Sequence, residues 1–291
     1  MDAEPGVSSE ALGILVAMTT PEKPAAALAL TGERTLPGIP EENYWFRRHE
    51  VAYLAAVDLV REIGGLVRAL DAGCGEGYGT AMLARASSHA IGIDKDVEVI
   101  EHCRRMYDSP DIGNLLFVTA DLEDPATIPE GPFDLIVALH VLDHLERPQV
   151  TVEALASRLA DGGGLYAATQ NRLLLTAAGH APNPYIRTEF GPDELTELLH
   201  GGFGDVALWG VVHTGELLAA EQEAGAGLPV TLIGAAAAGQ EPPVWATSLV
   251  PMVTSDDFAF VSDPGEVAGA YDLIALARHP RSGATAADEA R

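Results

Sequence analysis

The 291-residue sequence predicts an α/β fold built on an open, mostly parallel sheet with helices on both faces. Three observations predict it. Short apolar runs alternate with stretches of helical period, the pattern of strand–helix–strand units. One run, Val67–Asp71, passes into Ala72-Gly73-Cys74-Gly75-Glu76-Gly77-Tyr78-Gly79 and then into helix-like Thr80–Ala84. Finally, three successive predicted strands end in an acid, at Asp71, Asp94 and Asp121.

The bulk numbers narrow the function. A hydrophobic content of 47% in a chain of this length supports one large α/β domain with additions. The formal charge of −26, with no local Lys/Arg cluster, argues against a nucleic-acid partner, whose binding rests on neutralising phosphates. The two cysteines, Cys74 and Cys103, suggest neither a disulfide framework nor a zinc site and fit a reducing cytoplasm. Ala11–Met18 is too short to span a bilayer and follows acids rather than bases, so neither a membrane anchor nor a signal peptide is expected. Residues 1–30 and 282–291 read as disordered tails, with Met1 and Met18 as alternative starts.

Residues 31–66 form an N-terminal cap. Its aromatic block, Tyr44-Trp45-Phe46, leads into an amphipathic helix at Val51–Ile63 that Gly64-Gly65 ends. One reading makes the block a helix, continued by Val51–Ile63, that packs Trp45, Phe46 and Tyr53 on the outer sheet face and leaves the arginines solvated. After the glycine loop, strands are expected at His89–Asp94, Leu115–Leu122, Phe133–His140, Gly162–Asn171, Asp205–His213 and Tyr271–Arg278. Intervening helices are expected at Val97–Tyr107, Val152–Leu159 and Asp193–His200. The connection at 214–270 is long enough to be functional, and reads as a lid or a dimer element with an extra strand near Thr254–Phe260.

The glycine spacing separates two ligand classes. A dinucleotide fingerprint is G-x-G-x-x-G, which would place its third glycine at Tyr78 or Thr80. Neither register fits. Acid-x-G-x-G-x-G does fit, and it resembles motif I of the class I S-adenosylmethionine (SAM) methyltransferases. That resemblance implies a Rossmann-like, seven-stranded sheet whose last strand is antiparallel. It implies a loop of Gly73, Cys74, Gly75 and Gly77 under the methionine half of SAM, after Asp71. It further implies Asp94 on the ribose hydroxyls with Lys95 beside the adenine, and Asp121 with Leu122 on the adenine edge. The methyl group would lie over the end of the fourth strand at Leu139. In the alternative reading of the aromatic block, Tyr44 and Arg48 close over the cofactor carboxylate.

A narrower resemblance runs over residues 31–278, to actinobacterial methyltransferases of methylglucose lipopolysaccharide (methylated polysaccharide) synthesis. Thr31–Arg34, Glu42–His49, Ala72–Gly79, Asp143-His144-Leu145, Asn171-Arg172, Asn183-Pro184, Asp193–Leu199, Asp257-Phe258 and Asp272–Ala277 carry it. It implies methylation of a hydroxyl on a sugar or glycosylated metabolite. The alternatives are O- or N-methylation of another natural product, or a SAM-binding protein without turnover.

A sugar hydroxyl barely ionises near neutrality, so its methylation needs a base or a metal. His140 and His144, four apart at the mouth of the fourth strand, are the candidate bases, with Asp143 between them. On one helical turn these three could also hold a divalent metal such as magnesium. Related sugar methyltransferases carry Glu-x-x-Glu-His there and a distant histidine. Here His140 and Asp143 replace the acids and Ile186 the histidine, which puts metal dependence in doubt. His213 could face the same pocket. The expected partners are a small-molecule acceptor and a second copy of the chain.

Overall fold

The computed structural model describes residues 35, 37–107, 113–175 and 186–281. The expected tails, and the resemblance at Thr31–Arg34 and Asn183-Pro184, lie outside the described residues.

Eight strands form one sheet in the order β3-β2-β1-β4-β5-β8-β6-β7. They are β1 (Arg68–Ala72), β2 (His89–Asp94), β3 (Leu115–Thr119), β4 (Phe133–Leu139), β5 (Leu159–Gln170), β6 (Phe203–His213), β7 (Phe258–Val261) and β8 (Asp272–Pro280). The expected count of seven is corrected by β7, which the 214–270 connection adds at the edge beside β6. Two strands therefore run against the rest, because β6 pairs antiparallel with both β7 and β8. The parallel strands read as near-continuous apolar runs because both faces are covered. Along β4, Leu135, Val137 and Leu139 enter the core on one face, while Ile136 and Ala138 enter that on the other.

The first face is covered by α1 (Asn43–Ile63), α2 (Tyr78–Ala86) and helices of the long connection. Helix α1 runs unbroken from the aromatic block through Val51–Ile63, so the block forms its first turns. Its buried stripe includes Tyr44, Arg48, Val51 and Ala55, positions three and four apart that share one face. Gly64, at φ 68°, ends it with its N–H donating to the Val60 carbonyl. The opposite face is covered by α4 (Pro148–Ala156) and α5 (Pro192–Gly202), and α3 (Val97–Tyr107) packs over β2 and β3.

The 214–270 segment flanks the sheet. The Asn43 amide donates to the Val250 and Val253 carbonyls at 3.0 and 2.7 Å, pinning the segment to α1. None of its residues lines the cleft described next. No helix among the described residues is long and apolar enough to cross a membrane.

Candidate active site

A cleft opens at the carboxyl ends of β1, β2, β4 and the segment after β3, beside the point where strand order reverses between β1 and β4. Its floor is the loop between β1 and α2. Gly73, Gly75 and Gly77 take φ of 81°, 49° and 80°, conformations that side-chain-bearing residues rarely adopt. At Gly77 a Cβ would stand 2.8 Å from Cys103 Sγ and 3.0 Å from the Phe117 ring. The loop is therefore pressed against α3 and β3, and α2 starts directly behind it.

Gly73, Cys74, Gly75, Asp94, Lys95, Asp121, Leu122 and Leu139 line this cleft. The Asp94 carboxylate accepts from the Gly75 N–H at 3.2 Å and from the Asp96 N–H at 3.0 Å, which fixes its direction. Asp121 Oδ1 accepts from the Glu123 N–H at 2.9 Å. With Glu76 also on the wall, the cofactor end carries three carboxylates and one lysine, an environment suited to a cationic ligand.

Asp71 and Gly77 do not line the cleft. Asp71 is buried behind the loop, where Thr80 Oγ1 donates to it at 2.6 Å and the Tyr53 hydroxyl at 3.1 Å. Burial pushes its carboxyl up to about 7. The first acid of the motif thus ties loop, α1 and α2 together.

The placement of Tyr44 and Arg48 corrects the expectation that they close over a cofactor carboxylate. Arg48 is buried and forms a two-pronged pair with Asp272. Tyr44 is buried, its hydroxyl 3.1 Å from His213 Nε2. Nor are the arginines both solvated, because that helix face meets β8 instead of water. His213 also holds Glu221 at 2.9 Å and stacks on Tyr271, so it faces this polar core rather than the cleft.

The same cleft is also lined by His140 and His144, together with His49, Tyr53, Tyr78 and Thr35. The expected helical turn from His140 to His144 does not form. His140 sits at φ 50°, and only Leu142–His144 makes one 3-10 turn. Asp143 instead lines a separate small cavity with Thr169, Asn171 and Ile186, and burial pushes its carboxyl up to about 6. Among the described residues no group of three or more His, Cys, Asp or Glu side chains could hold a metal, so the candidate set His140, Asp143, His144 is not assembled as one.

His49 was not a sequence candidate. A signal existed: it stands four residues before Tyr53, on the helix face that the structure turns to the cleft. Its ring stacks on that of His140 with centroids 4.4 Å apart and planes 14° apart. Both ring nitrogens of His140 are buried without a hydrogen-bond partner. Burial, then His140 and Arg48, hold the His49 imidazole well below the usual histidine range; burial, then Arg48 and His144, do the same to His140.

The comparisons with known proteins agree with this geometry. A family profile described as a methyltransferase domain matches residues 69–163. The chain is 34% identical over 261 residues to a probable S-adenosylmethionine-dependent methyltransferase of Mycobacterium tuberculosis, covering 88% of this chain and 91% of that protein. A similarly named protein of Mycolicibacterium smegmatis is 35% identical over 265 residues, covering 88% and 96%. The fold also matches the N-methyltransferase NodS of Bradyrhizobium japonicum in complex with S-adenosylhomocysteine. The TM-score is 0.50 at 17% identity, over 84% of this chain and 92% of that one. A Rossmann-like sheet with a glycine loop under an acidic cleft defines a class I methyltransferase. The chain belongs to the S-adenosylmethionine-dependent methyltransferases, and SAM is its cofactor.

Proposed function

We propose that the enzyme methylates a hydroxyl of an uncharged sugar or glycosylated metabolite, of the kind found in methylated polysaccharides. One observation carries this reading: three imidazoles line the cleft together, and among the described residues its one lining cation, Lys95, stands at the end of β2, while Arg48 next to His49 is paired with Asp272. Among the described residues, an anionic acceptor would find no unpaired arginine or lysine beside these imidazoles. A neutral hydroxyl would find imidazoles for its proton and the tyrosines Tyr53 and Tyr78 for its ring faces. This reading keeps His140 and His144 as parts of the acceptor wall.

On the cofactor side, Asp94 would accept from the ribose hydroxyls, Asp121 and the Leu122 N–H would meet the adenine edge, and Lys95 would flank it. Gly73, Cys74 and Gly75 would let the backbone approach the methionine half. SAM supplies the electrophilic methyl carbon. The chain's work is to hold that carbon in line with the acceptor oxygen and to take up the proton.

The test is incubation with tritiated SAM and a panel of simple glycosides, phenols and primary amines, with the product located by mass spectrometry. Methyl on a glycoside oxygen is the expected result. Methyl found only on nitrogen or on a phenol would overturn the sugar reading, and S-adenosylhomocysteine release that stops with chelator and returns with magnesium would reinstate a metal.

A further inference from the structure

The sequence offers two bases, His140 and His144, and the structure adds a third ring to the same cleft. His140 carries its nitrogens enclosed and unpartnered. His144 has its Nε2 3.9 Å from the buried carboxylate of Asp143. The His49 ring lies on the cleft wall, stacked on His140 and delivered by α1 rather than by the strand end. Helix α1 is held at this level from both sides. One residue before, Arg48 pairs with Asp272 on β8; one turn on, Tyr53 donates to Asp71 on β1.

We propose that His49 is the catalytic base of methyl transfer, with the stacked His140 ring as its support. The proposal rests on the reading that the acceptor is a hydroxyl. The acceptor oxygen attacks the methyl carbon, and the carbon–sulfur bond breaks as the carbon–oxygen bond forms. The hydroxyl proton passes to a ring nitrogen of His49, the sulfonium becomes a neutral thioether, and the imidazolium releases its proton to water through the cleft mouth. A weakly basic imidazole suffices, because the hydroxyl becomes strongly acidic as its oxygen acquires the new bond.

The groups that face His49 agree with this role. Arg48, compensated by Asp272, and the stacked His140 both disfavour a standing positive charge on the ring, and burial acts in the same direction. His140 is held neutral by burial, Arg48 and His144. Both rings therefore stay unprotonated at neutral pH, and a proton taken by one disfavours a proton on the other.

The test compares His49→Phe, His140→Phe and His144→Phe, each keeping a ring without its nitrogens, with tritiated SAM and methyl glucoside as probe. His49→Phe should lower kcat by about 100-fold or more at unchanged SAM affinity and melting temperature, the scale of lost general-base catalysis. It should also remove the acid limb of the kcat–pH profile, which in the wild type falls below the ordinary histidine range. His49→Ala should regain part of its rate with added imidazole. A His49→Phe enzyme within about threefold of wild type, or a larger loss in His144→Phe, would overturn the assignment. So would parallel loss of SAM binding and folding in His49→Phe. Wild-type product identity tests the acceptor reading, and the ranking of variants tests His49, so the two fail separately.

Discussion

Arg48, in the second turn of the cap helix, grips Asp272, the first residue of the last strand, through two parallel hydrogen bonds. The Nε–Oδ2 bond measures 2.5 Å, and both side chains are almost wholly buried. Cap and sheet are joined across the whole sequence by this pair. Taking one partner away leaves an uncompensated charge in the interior, which costs about 3–5 kcal/mol. Asp272→Ala should therefore lose stability on that scale in a urea melt, and the double variant Arg48→Met/Asp272→Leu should lose clearly less. Equal losses in both would show that the pair's charge is not what matters. Because Arg48 lies off the cleft, Arg48→Lys should leave SAM affinity within about threefold; a larger drop would return it to the cofactor site.

The buried acid of the motif predicts a pH dependence. Asp71 is raised to about 7 when folded, chiefly by burial, against an unfolded value near the ordinary aspartate range. A carboxyl raised in the folded state adds stability that is fully present below the unfolded pKa and is lost as pH rises through the folded one. Stability should thus decline from about pH 4 to about pH 7. Asp71→Asn, which mimics the protonated form between Thr80 and Tyr53, should flatten that slope in melts across the range. An unchanged slope would place the effect elsewhere.

Two loop glycines should answer differently to alanine. Both hold positive φ, but a Cβ on Gly77 meets Cys103 and Phe117 while one on Gly75 meets no protein atom within 4 Å. Gly77→Ala should cost apo stability through overpacking, about 1–3 kcal/mol on top of backbone strain. Gly75→Ala should fold with the strain cost alone and still lose SAM affinity, because its methyl points into the space where the cofactor would lie. Equal melting temperatures for the two would contradict the contrast.

Much of the sheet was legible because its signals are local. An apolar run ending in an acid, then alternate glycines, then a helix specifies a strand, a turn and an N-terminus without reference to the rest of the chain. The same holds for the cleft positions of Asp94, Asp121 and Leu139. What the sequence hid depends on distant partners. Arg48 looks like a surface or ligand-binding arginine until Asp272 arrives from 224 residues away. Asp143 looks like a metal ligand until the loop at Arg187 and Thr188 donates to its backbone and the side chain turns into a second cavity. His49 carries no mark of its own in the sequence, because which stripe of α1 faces the cleft depends on how the helix docks on the sheet. The added strand β7 was visible as an extra apolar run, but its pairing with β6 is a long-range choice that no local pattern encodes.

The account depends most on the strand-end acids Asp94 and Asp121 holding an adenosyl cofactor, and Asp94 is the one with a carboxylate fixed in the cleft by two backbone donors. Calorimetric titration of SAM into Asp94→Ala tests it directly. The loss of hydrogen bonds to a charged acceptor, about 1.5–3 kcal/mol, should weaken binding by roughly 10- to 150-fold with the fold intact. An affinity equal to that of the wild type would contradict the placement of the cofactor in this cleft.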